Sequence, residues 1–204
     1  MVVLVHGLWM NRFVMLGLET MLKRRGHRVE CWGYPTLSRS LDENANELAR
    51  LIDRMGGADI VAHSYGGLVT LRMLERTGPH PVRRVVLLGA PIAGSRAGRG
   101  IMHFAAGRRI LGETAAVWEG MAARPLHIRA GIEVGSIAGD KSIGLGRLVV
   151  QLPPPNDGVV CVDETRLPGL AAHVVLPVSH SVMLAKPIVA RYVDAFLRHG
   201  HFPE

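Results

Sequence analysis

Ser64 stands in the run Ala62-His63-Ser64-Tyr65-Gly66-Gly67, between a short apolar segment and a stretch of helical periodicity. A serine hydroxyl is a weak nucleophile at neutral pH. It attacks only with a base in hydrogen-bond reach and a third group holding that base in the right tautomer. A strand that turns sharply into a helix around such a serine needs small residues two before and two after it, because the two backbones close on each other while the hydroxyl points outward. Ala62 and Gly66 fill those places. Alone, the same serine would serve as an ordinary helix cap, so its meaning rests on the residues that accompany it.

In a strand-turn-helix hydrolase the acid follows the serine and the histidine comes last. His180, in Pro177-Val178-Ser179-His180-Ser181, falls between the last predicted strand and the last predicted helix and is the candidate general base. His173 lies at the other end of that strand, and His199 and His201 follow the helix; these read as surface residues. Both Asp157, in Asn156-Asp157-Gly158, and Asp140, after Gly139, can orient the imidazole. Asp157 is favoured, because a carboxylate in a tight turn leading into apolar residues accepts from His180 without competition from bulk water. The other is then a solvated turn aspartate.

The run Val3 to Trp9 places a His6-Gly7 turn directly after the first strand. There the backbone N–H groups of Leu8 and Tyr65 would face a carbonyl oxygen gaining negative charge. Losing one such donor costs about a hundred to a thousand in rate. His6 itself, at a strand end, reads as a structural hydrogen-bonding group rather than a base.

These residues need a frame that brings them to one edge. Val2 to Val5 is wholly apolar and β-branched, as a strand buried on both faces would be. Short strands follow at His27 to Gly33, Asp59 to Ala62, Val82 to Leu88, Ile132 to Ala138 and His173 to Val178. Between them, helical spacing runs from Phe13 to Arg25, then from an Asp42 cap through Met55, and from Tyr65 to Arg76; a last helix begins at Pro187. This alternation predicts an α/β fold with a mostly parallel central sheet and helices on both faces. Residues 1–204 read as one domain. Gly94 to Arg129 is the least legible stretch, with Ile101 to Leu111 expected to be helical.

No uninterrupted apolar run approaches the roughly 20 residues that span a bilayer, and Met1 to Val5 is too short for a signal sequence. A cytoplasmic location is the expectation. The net charge of +7 invites nucleic acid as a partner, but the basic residues are scattered, with no basic run or aromatic-interleaved stripe. It reads as a solvated surface and no nucleic-acid partner is expected. Cys31 and Cys161 have neither the number nor the spacing of a disulfide scaffold or a zinc site, so no metal is expected.

Together, His6-Gly7, the Ala62 to Gly67 turn, Asn156-Asp157-Gly158 and His180 resemble the corresponding clusters of small bacterial lipases and esterases of the α/β-hydrolase superfamily. Alanine rather than glycine at position 62 is similar to the small, lidless Bacillus lipases. The Asn-Asp-Gly turn, followed by histidine a little over twenty residues on, resembles the Pseudomonas-type triacylglycerol lipases. Gly89-Ala90-Pro91 with Gly94-Ser95 also resembles the stretch after the fourth strand in lipases and in GPI-inositol deacylase-like hydrolases.

The resemblance implies an α/β-hydrolase fold with a minimal cap, and a triad of Ser64, Asp157 and His180. It further implies amides of Leu8 and Tyr65 as oxyanion hole, and ester hydrolysis through an acyl-enzyme without a cofactor. The expected substrate is a small-molecule or lipid ester, with Trp9, Met10 and Phe13 as candidate substrate-binding residues and Met102 and Phe104 as further candidates. Residues 96–111 are either a flap, with at most peripheral membrane association, or a solvated connecting helix. The same triad would also serve an acyltransferase or thioesterase, and the fold alone permits a non-catalytic binding protein.

Overall fold

Val2–Val5 (β1) is buried along its whole length, and this is why its sequence is apolar at every position rather than alternating. It lies between β2 (Val29–Trp32) and β3 (Asp59–His63), and β4 (Arg84–Leu88), β5 (Glu133–Gly139) and β6 (Ala172–Leu176) follow outward from β3. All neighbouring pairs are parallel, in the order β2-β1-β3-β4-β5-β6. The chain therefore leaves β1 in one direction and returns to its other side, so the strand order reverses between β1 and β3. Ligands of open parallel sheets bind beyond the carboxyl ends of the strands at such a reversal. The register pairs Val5 with Ala62 and His63 with Leu88, which brings Gly7, Ser64 and Gly89 to neighbouring places just past the strand ends.

The computed structural model describes residues 1–76, 81–121, 123–143 and 151–203. Side chains alternate across the sheet and build two cores. Val3, Val5, Ile60, Ala62, Val85 and Leu87 pack with α2 (Leu41–Arg54) and α3 (Tyr65–Arg76). Val2, Leu4, Val61, Val86 and Leu88 pack with α1 (Leu16–Lys23) and with the last helix. This is the α/β-hydrolase layering that the sequence predicts. Among the described residues no helix is long and apolar enough to cross a membrane. Cys31 and Cys161 are both free thiols.

Three details differ from the sequence reading. The first helical stretch begins as a 3-10 turn at Arg12–Met15, capped by Asn11, before α1 proper. The cap of α2 is Ser40, whose hydroxyl accepts from the Glu43 amide while the Glu43 carboxylate accepts from the Ser40 amide. Asp42 lies in the first turn instead, where the helix dipole favours an acid.

The expected helix over Ile101 to Leu111 is two short ones, α4 (Arg96–Met102) and α5 (Gly107–Leu111), followed by α6 (Ala115–Gly120). These helices fill the connection from β4 to β5 and form the small cover over the carboxyl edge. The last helix, α7 (Pro187–His199), starts with proline, whose missing N–H costs nothing there, and ends at Gly200 with φ 79°.

Candidate active site

β3 ends at His63 and α3 begins at Tyr65, so Ser64 alone makes the turn, and it does so at φ 53°. A left-handed backbone is rare and strained for a residue with a side chain. Its neighbours make room for it. A methyl on Gly66 would stand 2.6 Å from the His6 carbonyl oxygen and 2.7 Å from that of Val5. A methyl on Gly67 would stand 2.5 Å from the Ala90 methyl. Small residues are needed here because α3 passes directly over β1 and the end of β4. The Ser64 amide donates to Leu88 at 2.9 Å, fixing the turn to the sheet.

The Asn156-Asp157-Gly158 turn buries Asp157 to 1% exposure. One carboxylate oxygen, Oδ1, accepts from the amides of Val159 at 2.9 Å and Val160 at 2.7 Å, and Oδ2 accepts from His180 Nδ1 at 2.7 Å. The His180 amide also donates to the Asp157 carbonyl at 2.9 Å. With Nδ1 donating, His180 Nε2 carries the lone pair, which is the tautomer a general base needs. Gly89, at φ 53°, is required beside this pair, since a methyl there would stand 2.9 Å from Asp157 Oδ2 and 3.1 Å from His180 Nδ1. Asp140 is exposed, with its carboxylate 3.7 Å from Lys141 Nζ, and His180 Nδ1 bonds to Asp157 instead.

Ser64 and His180 both line a cavity of about 190 Å³ whose surface is mostly apolar. Leu8, Trp9, Met10 and Tyr65 line it on one side, Ile101, Leu111 and Trp118 from the cover on another, and Val159 and Val160 from the acid turn. Tyr65 is the first residue of α3, so its amide has no acceptor within the helix and lies at the positive end of the helix dipole. Leu8 flanks the cavity from the turn after β1. Leu8, Tyr65 and Ser64 thus border the same cavity.

Residues 2–198 match the alpha/beta hydrolase family. The chain belongs to that family. Among solved α/β-hydrolase structures, it is similar to a lipase from Bacillus licheniformis in its mature form at 18% identity and TM-score 0.78, covering 98% of this chain and 91% of that one. A thermophilic esterase from Thermogutta terrifontis matches at 17% identity and TM-score 0.63, over 98% and 90% of the two chains. A phospholipase from Legionella pneumophila matches at 14% identity and TM-score 0.68, over 98% of this chain and 57% of that one. At such identities the likeness carries the fold. No curated protein matches by sequence.

Of the α/β-hydrolase residues expected from sequence, Ser64, His180, Leu8, Tyr65, Trp9 and Met10 meet at one cavity, with Asp157 bonded behind it. Phe13 does not. It is 61% exposed and borders a separate depression with Met1, Arg12 and Leu16, because the 3-10 turn after Asn11 carries it away from the site. Phe104 is exposed and Met102 packs toward the core, so neither lines the cavity.

His173 is half-buried rather than fully solvated. Its Nε2 lies 2.8 Å from the Thr165 hydroxyl, and burial, with the nearby Arg166 charge, pushes its pKa down to about 4. His6 is buried as a structural group, with Nδ1 donating to the Gly7 carbonyl at 3.0 Å and its ring stacked on Tyr34.

Sequence reasoning missed the wall made by Ile101, Leu111 and Trp118. These residues sit on helices too short to show a period, and the packing of Gly98 beneath the Trp118 ring is visible only in three dimensions.

Segment 96–111 covers the cavity and is tied down at both ends. The Arg96 guanidinium donates to both Asp163 oxygens at 2.8 and 2.7 Å, and the Trp9 indole donates to Ile110 at 3.0 Å.

Proposed function

We propose that this α/β-hydrolase is a serine carboxylic ester hydrolase acting through an acyl-enzyme. One observation carries the reading: a fully buried Asp157 holds His180 in its basic tautomer at the cavity where Ser64 is presented on a strained turn. Ser64 attacks the ester carbonyl as His180 Nε2 takes its proton. The imidazolium is steadied by Asp157 and returns the proton to the leaving alcohol. Water then repeats the sequence on the acyl-enzyme. The amides of Leu8 and Tyr65 receive the oxyanion in a water-poor site, where such donors act most strongly.

The substrate is an ester of apolar character. Drug-sized ligands occupy roughly 300–1,000 Å³, so a cavity of about 190 Å³ favours a short or medium acyl group. The similarity to a lipase and to an esterase agrees with ester chemistry.

Hydrolysis of p-nitrophenyl esters from acetate to palmitate, by wild type and Ser64→Ala side by side, tests this. Release confined to the wild type and falling off with the longest chains is the expected result. Release equal in both proteins, or none with any ester, overturns it.

A further inference from the structure

We propose that His63 is a positioning residue for the reacting histidine, joining the nucleophile's strand end to the loop that carries His180. The proposal rests on the serine hydrolase reading above. His63 is the last residue of β3 and is fully buried. Its Nε2 lies 3.0 Å from the His180 carbonyl oxygen, and the two rings stand 4.6 Å apart. A carbonyl only accepts, so Nε2 carries the hydrogen. In the neutral ring Nδ1 is then a bare lone pair, and it is buried without a partner among the described residues. That nitrogen faces the turn after β1: a methyl on Gly7 would approach it to 3.1 Å. One imidazole thus touches the three segments that must agree in position: the Ser64 turn, the His180 loop and the Gly7 turn.

His180 has four polar groups to place. Its amide and Nδ1 go to Asp157, its carbonyl to His63, and Nε2 is left for the proton of Ser64. Without the His63 donor, Asp157 is the one hydrogen-bonding partner left to His180 itself among the described residues. Burial holds the His63 pKa well below the ordinary histidine value; the charges of nearby His180 and His6 act in the same direction and outweigh, with burial, the upward pull of the bond to the His180 carbonyl. His63 therefore stays neutral and keeps its donor in place when His180 becomes positively charged. A buried filler would need only shape at this position, whereas a positioning group needs a donor at Nε2.

Glutamine and methionine have nearly the same shape and differ in that donor, so His63→Gln and His63→Met separate the two roles. Two readouts are taken where each variant is fully folded: the rate of Ser64 labelling by a fluorophosphonate, and kcat and KM on a p-nitrophenyl ester. A misplacement of about 1 Å costs on the order of a hundredfold. His63→Met should therefore label and turn over about a hundredfold more slowly with KM nearly unchanged, and His63→Gln should recover most of that loss.

Equal rates for the two folded variants overturn the proposal. A wild type that the fluorophosphonate does not label removes the serine hydrolase reading, and this proposal with it. If neither variant folds, nitrogen-15 spectra of the wild-type histidines decide. A ring that stays neutral with hydrogen on Nε2 from about pH 8 to 5 supports the assignment, and one that titrates near the ordinary value of about 6.5 refutes it.

Discussion

Replacing Gly89 by alanine should separate the stability of this protein from its chemistry. Gly89 has φ 53°, and its missing side chain leaves space for the Asp157–His180 pair, which a methyl would approach to 2.9 and 3.1 Å. Two costs follow. A left-handed alanine costs about 1–2 kcal/mol, which for a chain of this length lowers Tm by roughly 2–8 °C. The second cost falls on the reaction. A methyl 2.9 Å from Asp157 Oδ2 must be relieved by a shift of several tenths of an ångström, and Oδ1 is pinned by two amides. The displacement therefore falls on the bond to His180.

Loss of the orienting acid costs about 10⁴ in a serine protease, and a misplacement of about 1 Å costs about 10². A fall of about 10² in kcat is expected for Gly89→Ala, measured on a p-nitrophenyl ester beside melting curves. Gly56→Ala is the control, because Gly56 is also left-handed, at φ 67°, with nothing within 4 Å of an added methyl. It should lose similar stability and keep its activity. If Gly89→Ala turns over within about threefold of Gly56→Ala, the reasoning about the pair is wrong.

Asp157→Asn should lower kcat by up to about 10⁴ while Asp140→Asn leaves it unchanged, read on the same ester; the reverse pattern would place the acid at Asp140. Leu111 is fully buried in the cavity wall, so Leu111→Ala should cost about 2–5 kcal/mol in a urea titration and shift preference toward longer acyl chains. Acid should destabilise the fold early. Burial lowers the pKa of His6, His63 and His173 below the ordinary histidine value of about 6.5, so the unfolded chain takes up protons that the folded one refuses. Their contribution is complete above about pH 6.5 and declines as pH falls, by up to about 1.4 kcal/mol per pH unit for each histidine. A urea midpoint unchanged between about pH 8 and pH 5 would contradict this.

The frame was legible wherever burial writes itself into the sequence. β1 is apolar at every position because both its faces are covered, and α2 shows a clear apolar face because only one side meets the sheet. The turn at Ser64 was legible because close backbone approach admits so few residues at positions 62 and 66. Ser40-Leu41-Asp42-Glu43 carries a capping box whose reciprocal Glu43 marks Ser40, not Asp42, as the cap. From Gly94 to Arg129 the determinants are not periodic. Helices of five to seven residues are set by the Arg96–Asp163 ion pair, the Gly98–Trp118 contact and the left-handed Gly112, partners far apart in sequence. Phe13 departs from the site because the Arg12–Met15 segment is a 3-10 turn, which rotates side chains differently from an α-helix.

The left-handed backbone of Ser64 bears on how this protein can be improved. Holding a serine at φ 53° costs about 1–2 kcal/mol that a glycine at the same position would not incur. Ser64→Gly should therefore melt higher than both Ser64→Ala and the wild type. A directed-evolution campaign that screened only for heat resistance would then be drawn toward erasing the serine proposed as nucleophile. Selection for turnover has to be applied in the same round, because at this residue the most stable sequence and the most active one are different sequences.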